Sequence, residues 1–268
     1  MENATEVISR LPAGVQKIIG FSFDYFIGLV GDGTVLKYPH EEKNGAAYDR
    51  LLIEAEFYRM LQPENKTHDR IIQFKRVDKD GIYLEYAPNG SISKYLADKT
   101  APPSVRLLWA LQAAEGMAYI HQQGVLHCDV NCNNLLLDKY LGVKYVDFQG
   151  RHYGPDGRTV LLNGCSEESS KSYMPREGDY ANCNTDIFAL GSAIYYMLTG
   201  EEPFVELDNN NDETEIAAKW SSGEFPKHTL LGDVRPILVK CWSGAYLSAS
   251  ELVVELESLV IKGSNPAE

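Results

Sequence analysis

Two spacings of apolar residues divide the chain. Up to about residue 90, short runs rich in β-branched and aromatic residues recur between Gly, Asp and Asn, and they read as strands. Val15 to Phe23 and Tyr25 to Val30 are two such runs. Gly31-Asp32-Gly33 then supplies hairpin-turn chemistry leading into Thr34-Val35-Leu36-Lys37-Tyr38. Residues 46–61 break this pattern: Leu52, Ala55, Tyr58 and Leu61 recur at three-residue steps, the spacing of one helical face, and Gln62-Pro63 stops the helix. Ile71 to Val77 and Ile82 to Tyr86, joined by Asp78-Lys79-Asp80-Gly81, complete the strand-rich part.

Beyond Pro88-Asn89-Gly90 the helical spacing takes over. Residues 103–122 direct Val105, Leu108, Leu111 and Ala118 inward. Residues 185–199, capped by Thr185 or Asp186, align Leu190, Ile194, Met197 and Leu198, and a last helix covers 248–262. The expected architecture is α+β, with a small β-rich lobe joined by a short Pro/Gly link to a larger α-rich lobe. No internal repeat interrupts it, and Asn209-Asn210-Asn211 in an acidic stretch reads as a solvated loop.

Composition narrows the function classes. With 268 residues and 44% hydrophobic content, the chain can bury one large core or two modest ones. Lys and Arg number 25 against 38 Asp and Glu, a formal charge of -13, so the cationic footprint that nucleic acids and anionic membranes attract is missing. No apolar run reaches the roughly 18 residues of a bilayer span, and Met1-Glu2-Asn3-Ala4-Thr5-Glu6 has neither half of a secretory signal. Five scattered cysteines form no disulfide framework. The expectation is an intracellular, cytoplasmic protein without nucleic-acid or membrane partners.

Candidate chemistry gathers around one stretch, His127-Cys128-Asp129-Val130-Asn131-Cys132-Asn133-Asn134, with Asp147-Phe148 following 13 residues after Asn134. An Asp, an Asn five residues later and a second Asp behind a short hairpin can converge on one point, where oxygen donors hold Mg²⁺ and orient a hydroxyl. Earlier, Lys37 ends a strand and Glu54 lies on the next helix, so an ion pair between them is geometrically reasonable. His127, Cys128 and Cys132 also suggest a transition-metal set, but a segment that must turn through this loop suits it poorly.

These residues resemble the eukaryotic protein kinase family, in order over nearly the whole chain. Thr34-Val35-Leu36-Lys37 is similar to the strand ending in the phosphate-pairing Lys, and Ile53-Glu54 to the helix bearing its partner, with Glu56 as the alternative. Leu84-Glu85-Tyr86-Ala87-Pro88-Asn89-Gly90 resembles gatekeeper, hinge and the glycine beyond. His127-Cys128-Asp129 with Asn134 resembles the catalytic loop, Asp147-Phe148-Gln149 the metal-binding segment, Tyr173-Met174-Pro175-Arg176 the end of the activation segment, and Lys240-Cys241-Trp242 a late helix. Leu36-Lys37-Tyr38-Pro39 and Asp147-Phe148-Gln149-Gly150 are further similar to small fungal kinase-like proteins. The resemblance implies a single bilobal kinase-like domain over 1–268, divided into an N-lobe (1–86), hinge (87–90), C-lobe (91–263) and tail (264–268).

It also implies roles. Lys37 would hold the α/β-phosphates of ATP and pair with Glu54; Asp147 and Asn134 would bind Mg²⁺; Asp129 would accept the hydroxyl proton. Gly20, Ile27, Val35, Leu84, Glu85, Ala87 and Leu136 would border the nucleotide.

Five departures stand against this pattern. The glycine-rich loop, Gly20-Phe21-Ser22-Phe23-Asp24-Tyr25, keeps only its first glycine, so either the aromatics block the pocket or they point outward and the loop still covers ATP. Cys128 replaces the Arg that grips a phosphorylated activation segment. Asn131 replaces a Lys that neutralises the transferring phosphate, and Gln149 a glycine at a flexible turn. Arg176 replaces a Glu whose usual Arg partner is also missing. Two readings follow. One is an ATP-dependent phosphotransferase acting on protein Ser/Thr hydroxyls, with Ser169 helping to position Asp129. The other is a pseudokinase, a scaffold or allosteric partner with weak or no nucleotide binding. A protein substrate or regulatory partner is expected in either case.

Overall fold

The computed structural model describes residues 11–264 except 23, 42–44, 64, 65, 155 and 165–167. Phe23 and the tail beyond residue 264 therefore lie outside the described residues. Strands β1 (Lys17–Phe21), β2 (Tyr25–Gly31), β3 (Thr34–Pro39), β4 (Phe74–Asp78) and β5 (Gly81–Glu85) form an antiparallel sheet in the order β1-β2-β3-β5-β4. The β2–β3 hairpin closes through Asp32-Gly33, both with positive φ (48° and 64°), the backbone a two-residue turn between right-twisted strands requires. Helix α1 (Gly45–Leu61) packs against this sheet.

The expected face of α1 needs correction. Ala55, Tyr58 and Leu61 are buried, but Leu52 is 38% exposed, and the buried stripe runs through Ala47, Leu51, Glu54, Ala55, Tyr58 and Leu61. Each three-residue step falls about 60° short of a turn, so a strict three-residue series leaves the face that steps of three and four together maintain. The fourth strand also begins later than expected. Ile71 and Ile72 precede it and join the sheet region to the helical region, where Ile72 N–H donates to Tyr145 O at 3.1 Å and Tyr145 N–H to Arg70 O at 2.8 Å.

The rest is helical around short hairpins. Helices α2 (Ile92–Asp98), α3 (Pro103–Gln122), α4 (Cys183–Thr199), α5 (Glu213–Ser222), α6 (Arg235–Trp242) and α7 (Ala249–Ser264) are joined by β6 (Val125–Leu126), β7 (Leu135–Leu137), β8 (Val143–Tyr145), β9 (Arg151–Tyr153) and β10 (Val160–Asn163). Helix α3 is buried around most of its circumference between α4 and α7, so Leu111 and Ala118 are inside, Val105 is half-buried, and Leu108, expected inside, is 39% exposed. Helix α4 is capped by Asn182, whose side chain accepts from the N–H groups of Asn184 and Thr185. Thr185 and Asp186, the expected caps, lie inside the first turn because Asp186 is turned toward another segment. One continuous apolar core runs from Tyr25 and α1 through α3 to Leu256, and a small second cluster (Val15, Leu36, Tyr38, Tyr83) covers the other face of the sheet. No described helix is long and apolar enough to cross a membrane.

Candidate active site

Alternation along β3 sends Leu36 and Tyr38 into the small outer cluster and leaves Val35 and Lys37 on the opposite face. There Lys37 Nζ lies 2.7 Å from Glu54 Oε2 and 2.6 Å from Asp147 Oδ1. Burial alone would lower the Lys37 ammonium, but the carboxylates of Asp147 and Glu54 outweigh it and raise it. Burial pushes the Glu54 carboxyl up to about 7 against the pull of Lys37. Desolvation would raise Asp147 as well, yet Lys37 holds it below the ordinary carboxylate range. Glu56 pairs with Arg59 on the exposed face of α1, so Glu54 is the residue that meets Lys37.

Asp147 adopts a left-handed backbone (φ 63°), an uncommon state for a residue with a Cβ. Phe148 beside it is fully buried and completes a row of rings that crosses between the lobes. Phe74 stacks on Tyr58 at 5.7 Å, Tyr58 meets Phe148 edge-on at 5.1 Å, and Phe148 meets His127 at 5.1 Å. Gln149 donates through Nε2 to Asp147 Oδ1 at 3.1 Å. The glycine this turn needs stands one residue later, since a Cβ on Gly150 would lie 1.9 Å from Leu126 O.

The loop before it is held from below. Asp186 of α4 accepts the N–H groups of His127 (2.8 Å) and Cys128 (2.9 Å), and His121 Nε2 lies 3.0 Å from the same carboxylate. Cys128, at φ 60°, is thereby kept in a second left-handed turn, directly before Asp129. Asn131 Nδ2 donates to Asp129 Oδ1 and Asn134 Nδ2 to Asp129 Oδ2, each at 2.7 Å. Burial raises the Asp129 carboxyl and the charge of Asp147 adds to the rise, while His127 and the two amides oppose it. Val146 N–H donates to Asn134 O at 3.1 Å, bringing Asn134 beside the Asp147 turn. Ser169 does not assist Asp129; its hydroxyl donates to Asn209 Oδ1 at 2.7 Å.

A cleft of about 810 Å³ opens between the sheet and the helical lobe. Gly20, Ile27, Val35, Glu85, Ala87 and Leu136 line it, whereas Lys37, Glu54 and Leu84 are buried. Two of the three aromatics of the loop over this cleft are placed, Phe23 lying outside the described residues. Phe21, 81% exposed, stands at the rim of the cleft and helps to line it, and Tyr25 is buried beneath the sheet with its hydroxyl donating to Ala47 O at 2.9 Å. Asp24 is ion-paired with Arg50 of α1, which neutralises the charge it would bring near a polyphosphate. The oxygen donors of Asp147, whose side chain is 36% exposed, and Asn134 suit a hard divalent cation such as Mg²⁺.

Downstream, Arg176 finds a partner that neither spacing nor resemblance pointed to. It pairs with Glu168, both side chains being under one-tenth exposed, and its guanidinium covers the Tyr173 ring at 4.1 Å. Among the described residues no cluster of three His, Cys, Asp or Glu side chains could hold a metal, and Cys132 Sγ lies 3.4 Å from Ala193 O. Sequence reasoning missed Gln149 as a donor, Asp186 as the anchor of the catalytic loop, and Glu168. Of these only Asp186 had a signal, an acid at the head of an otherwise apolar helix.

The profile of the protein kinase domain matches residues 32–233. The chain belongs to this family. The sheet with α1 and the helical remainder are the two lobes of the bilobal α+β kinase fold. A serine/threonine-protein kinase of Saccharomyces cerevisiae, SSK22, is 29% identical over 188 residues, which cover 61% of this chain and 14% of that protein. The MAP kinase kinase kinase wis4 of Schizosaccharomyces pombe is 31% identical over 165 residues, 54% of this chain and 12% of that one. Mitogen-activated protein kinase kinase kinase 3 of Homo sapiens is 28% identical over 180 residues, 62% and 28% respectively. The matched region is thus the kinase domain, and it spans less than a third of each of these relatives.

Proposed function

We propose that this chain is an ATP-dependent phosphotransferase acting on Ser or Thr hydroxyls of a protein. The observation that carries the reading is Lys37 bridging Glu54 and Asp147. ATP with Mg²⁺ would supply the phosphoryl group and neutralise its charge. Lys37 would hold the α/β-phosphates, Asp147 and Asn134 the metal, and the cleft edge at Glu85 and Ala87 the base. Asp129 would take the hydroxyl proton, its raised affinity for protons suiting that role. A protein substrate or a regulatory partner would dock on the helical lobe.

One observation favours the scaffold reading. Both carboxylate oxygens of Asp129 are occupied by amides, with Asn131 standing where a cation would face the transferring phosphate. Calorimetric titration with ATP, with and without Mg²⁺, tests the first reading, with Asp147→Asn as control. Binding that requires both Mg²⁺ and Asp147, followed by phosphate transfer lost in Asp129→Asn, supports catalysis. Absence of binding at millimolar ATP removes it and leaves the scaffold.

A further inference from the structure

The cluster of buried Lys37, buried Glu54 and partly exposed Asp147 holds one ammonium and two carboxylates, an excess of one negative charge. Such an excess is costly unless neutral donors aim at it. Glu54 Oε1 is buried without a hydrogen-bond partner. Gln149 supplies a neutral donor to this cluster: its amide bonds Asp147 Oδ1 at 3.1 Å.

The side chain starts from a fixed point. Gln149 N–H donates to Asp147 O at 3.1 Å, and Gly164 N–H donates to Gly150 O at 2.8 Å. A Cβ on Gly164 would lie 2.1 Å from Gln149 O, so the two backbones touch and the residue cannot move independently of the segment crossing it. A glycine at position 149 would leave the excess charge to Lys37 alone and release the turn.

We propose that Gln149 is a positioning residue: its amide holds Asp147 turned inward onto Lys37 before any ligand arrives, so the resting segment is already assembled. The proposal rests on the reading of Asp147 as a metal-holding residue only for its consequence in catalysis; the positioning itself is a property of the unliganded chain.

Amide deuterium exchange over residues 146–152 of the unliganded full chain tests it, in wild type, Gln149→Met and Gln149→Glu. Methionine keeps the length and removes the donor; glutamate keeps the shape and adds a third carboxylate. Exchange about tenfold faster in Gln149→Met, the loss expected for a hydrogen bond to a charged acceptor, and faster still in Gln149→Glu supports the proposal. Exchange in both variants equal to wild type overturns it, as does a Met variant equal to wild type, which would mean that the side chain only fills space. A second readout is the Mg²⁺ concentration needed for half-maximal ATP binding, expected to rise several-fold in Gln149→Met. If wild type binds no ATP, the catalytic reading falls while the exchange measurement still decides the role of Gln149.

Discussion

Lys37 and Asp147 stand 110 positions apart in the chain, and their side chains meet at 2.6 Å. That contact ties the sheet to the helical lobe through a single ammonium, with Glu54 of α1 as its other partner. Lys37→Met would leave Glu54 buried without its counter-charge, at a cost of about 3–5 kcal/mol, while Asp147, partly exposed and bonded by Gln149, adds little. Adding Glu54→Gln to that variant should restore part of the loss, because it removes one stranded charge. Urea unfolding of the two single variants and the double variant checks this; strictly additive effects would contradict the coupling.

The loop over the cleft makes a contrasting case. Phe21 is largely exposed at the rim of the cleft and Asp24 is neutralised by Arg50. Phe21→Ala should therefore change ATP affinity by no more than about threefold, the small effect expected of an exposed side chain. Arg50→Ala frees the Asp24 charge and should weaken ATP binding more than Phe21→Ala does. Calorimetry on both variants decides, and a large gain in affinity from Phe21→Ala would mean that the ring obstructs the cleft.

Stability should depend on pH through His121. Burial would lower its imidazole, but the hydrogen bond to Asp186 prevails and raises it to about 9 from an ordinary 6.5. A proton bound more tightly in the folded chain stabilises it fully below about pH 6.5, and the benefit is lost as pH rises through about 9. The amount is at most about 3 kcal/mol. Melting curves from pH 6 to beyond 9 should show wild type falling toward His121→Gln, whose own curve is flatter over this range.

Gly150 and Gln149 should respond in opposite proportion to their appearance. Gly150→Ala puts a methyl against the Leu126 carbonyl at 1.9 Å, backbone against backbone, so the segment must move. A loss above about 3 kcal/mol, or failure to fold, is expected in thermal unfolding, beyond the usual range for a single methyl. Gln149→Gly should lose less than Gly150→Ala, about 1.5–3 kcal/mol, since it removes one hydrogen bond to a charged acceptor and creates no clash.

Much of this site was legible in the chain. Lys37, Glu54, Asp129, Asn134 and Asp147 occur in an order and at intervals that resemble the kinase family's pattern, and the structure brings Lys37 to Glu54 and Asp147, and Asn134 to Asp129. Orientations were less legible. Leu52 and Leu108 sat on plausible faces, but which face of a helix is covered depends on the neighbours that pack there. Phe21 and Tyr25, alike in type and close in sequence, go to opposite environments because one stands over open solvent and the other over α1.

By itself the sequence determined the two-lobe alternation of strand and helix, the turn at Asp32-Gly33, and the polar groups available for chemistry, because each depends on local spacing and residue type. Only the tertiary structure decided which carboxylates share Lys37, that Asp186 anchors the catalytic loop and leaves the capping of α4 to Asn182, that Arg176 pairs with Glu168, and that Gln149 donates into the Lys37 cluster. Those pairings are settled by burial. A charge or amide removed from water takes the partner that the crossing of distant segments places within reach, and no local pattern records that crossing.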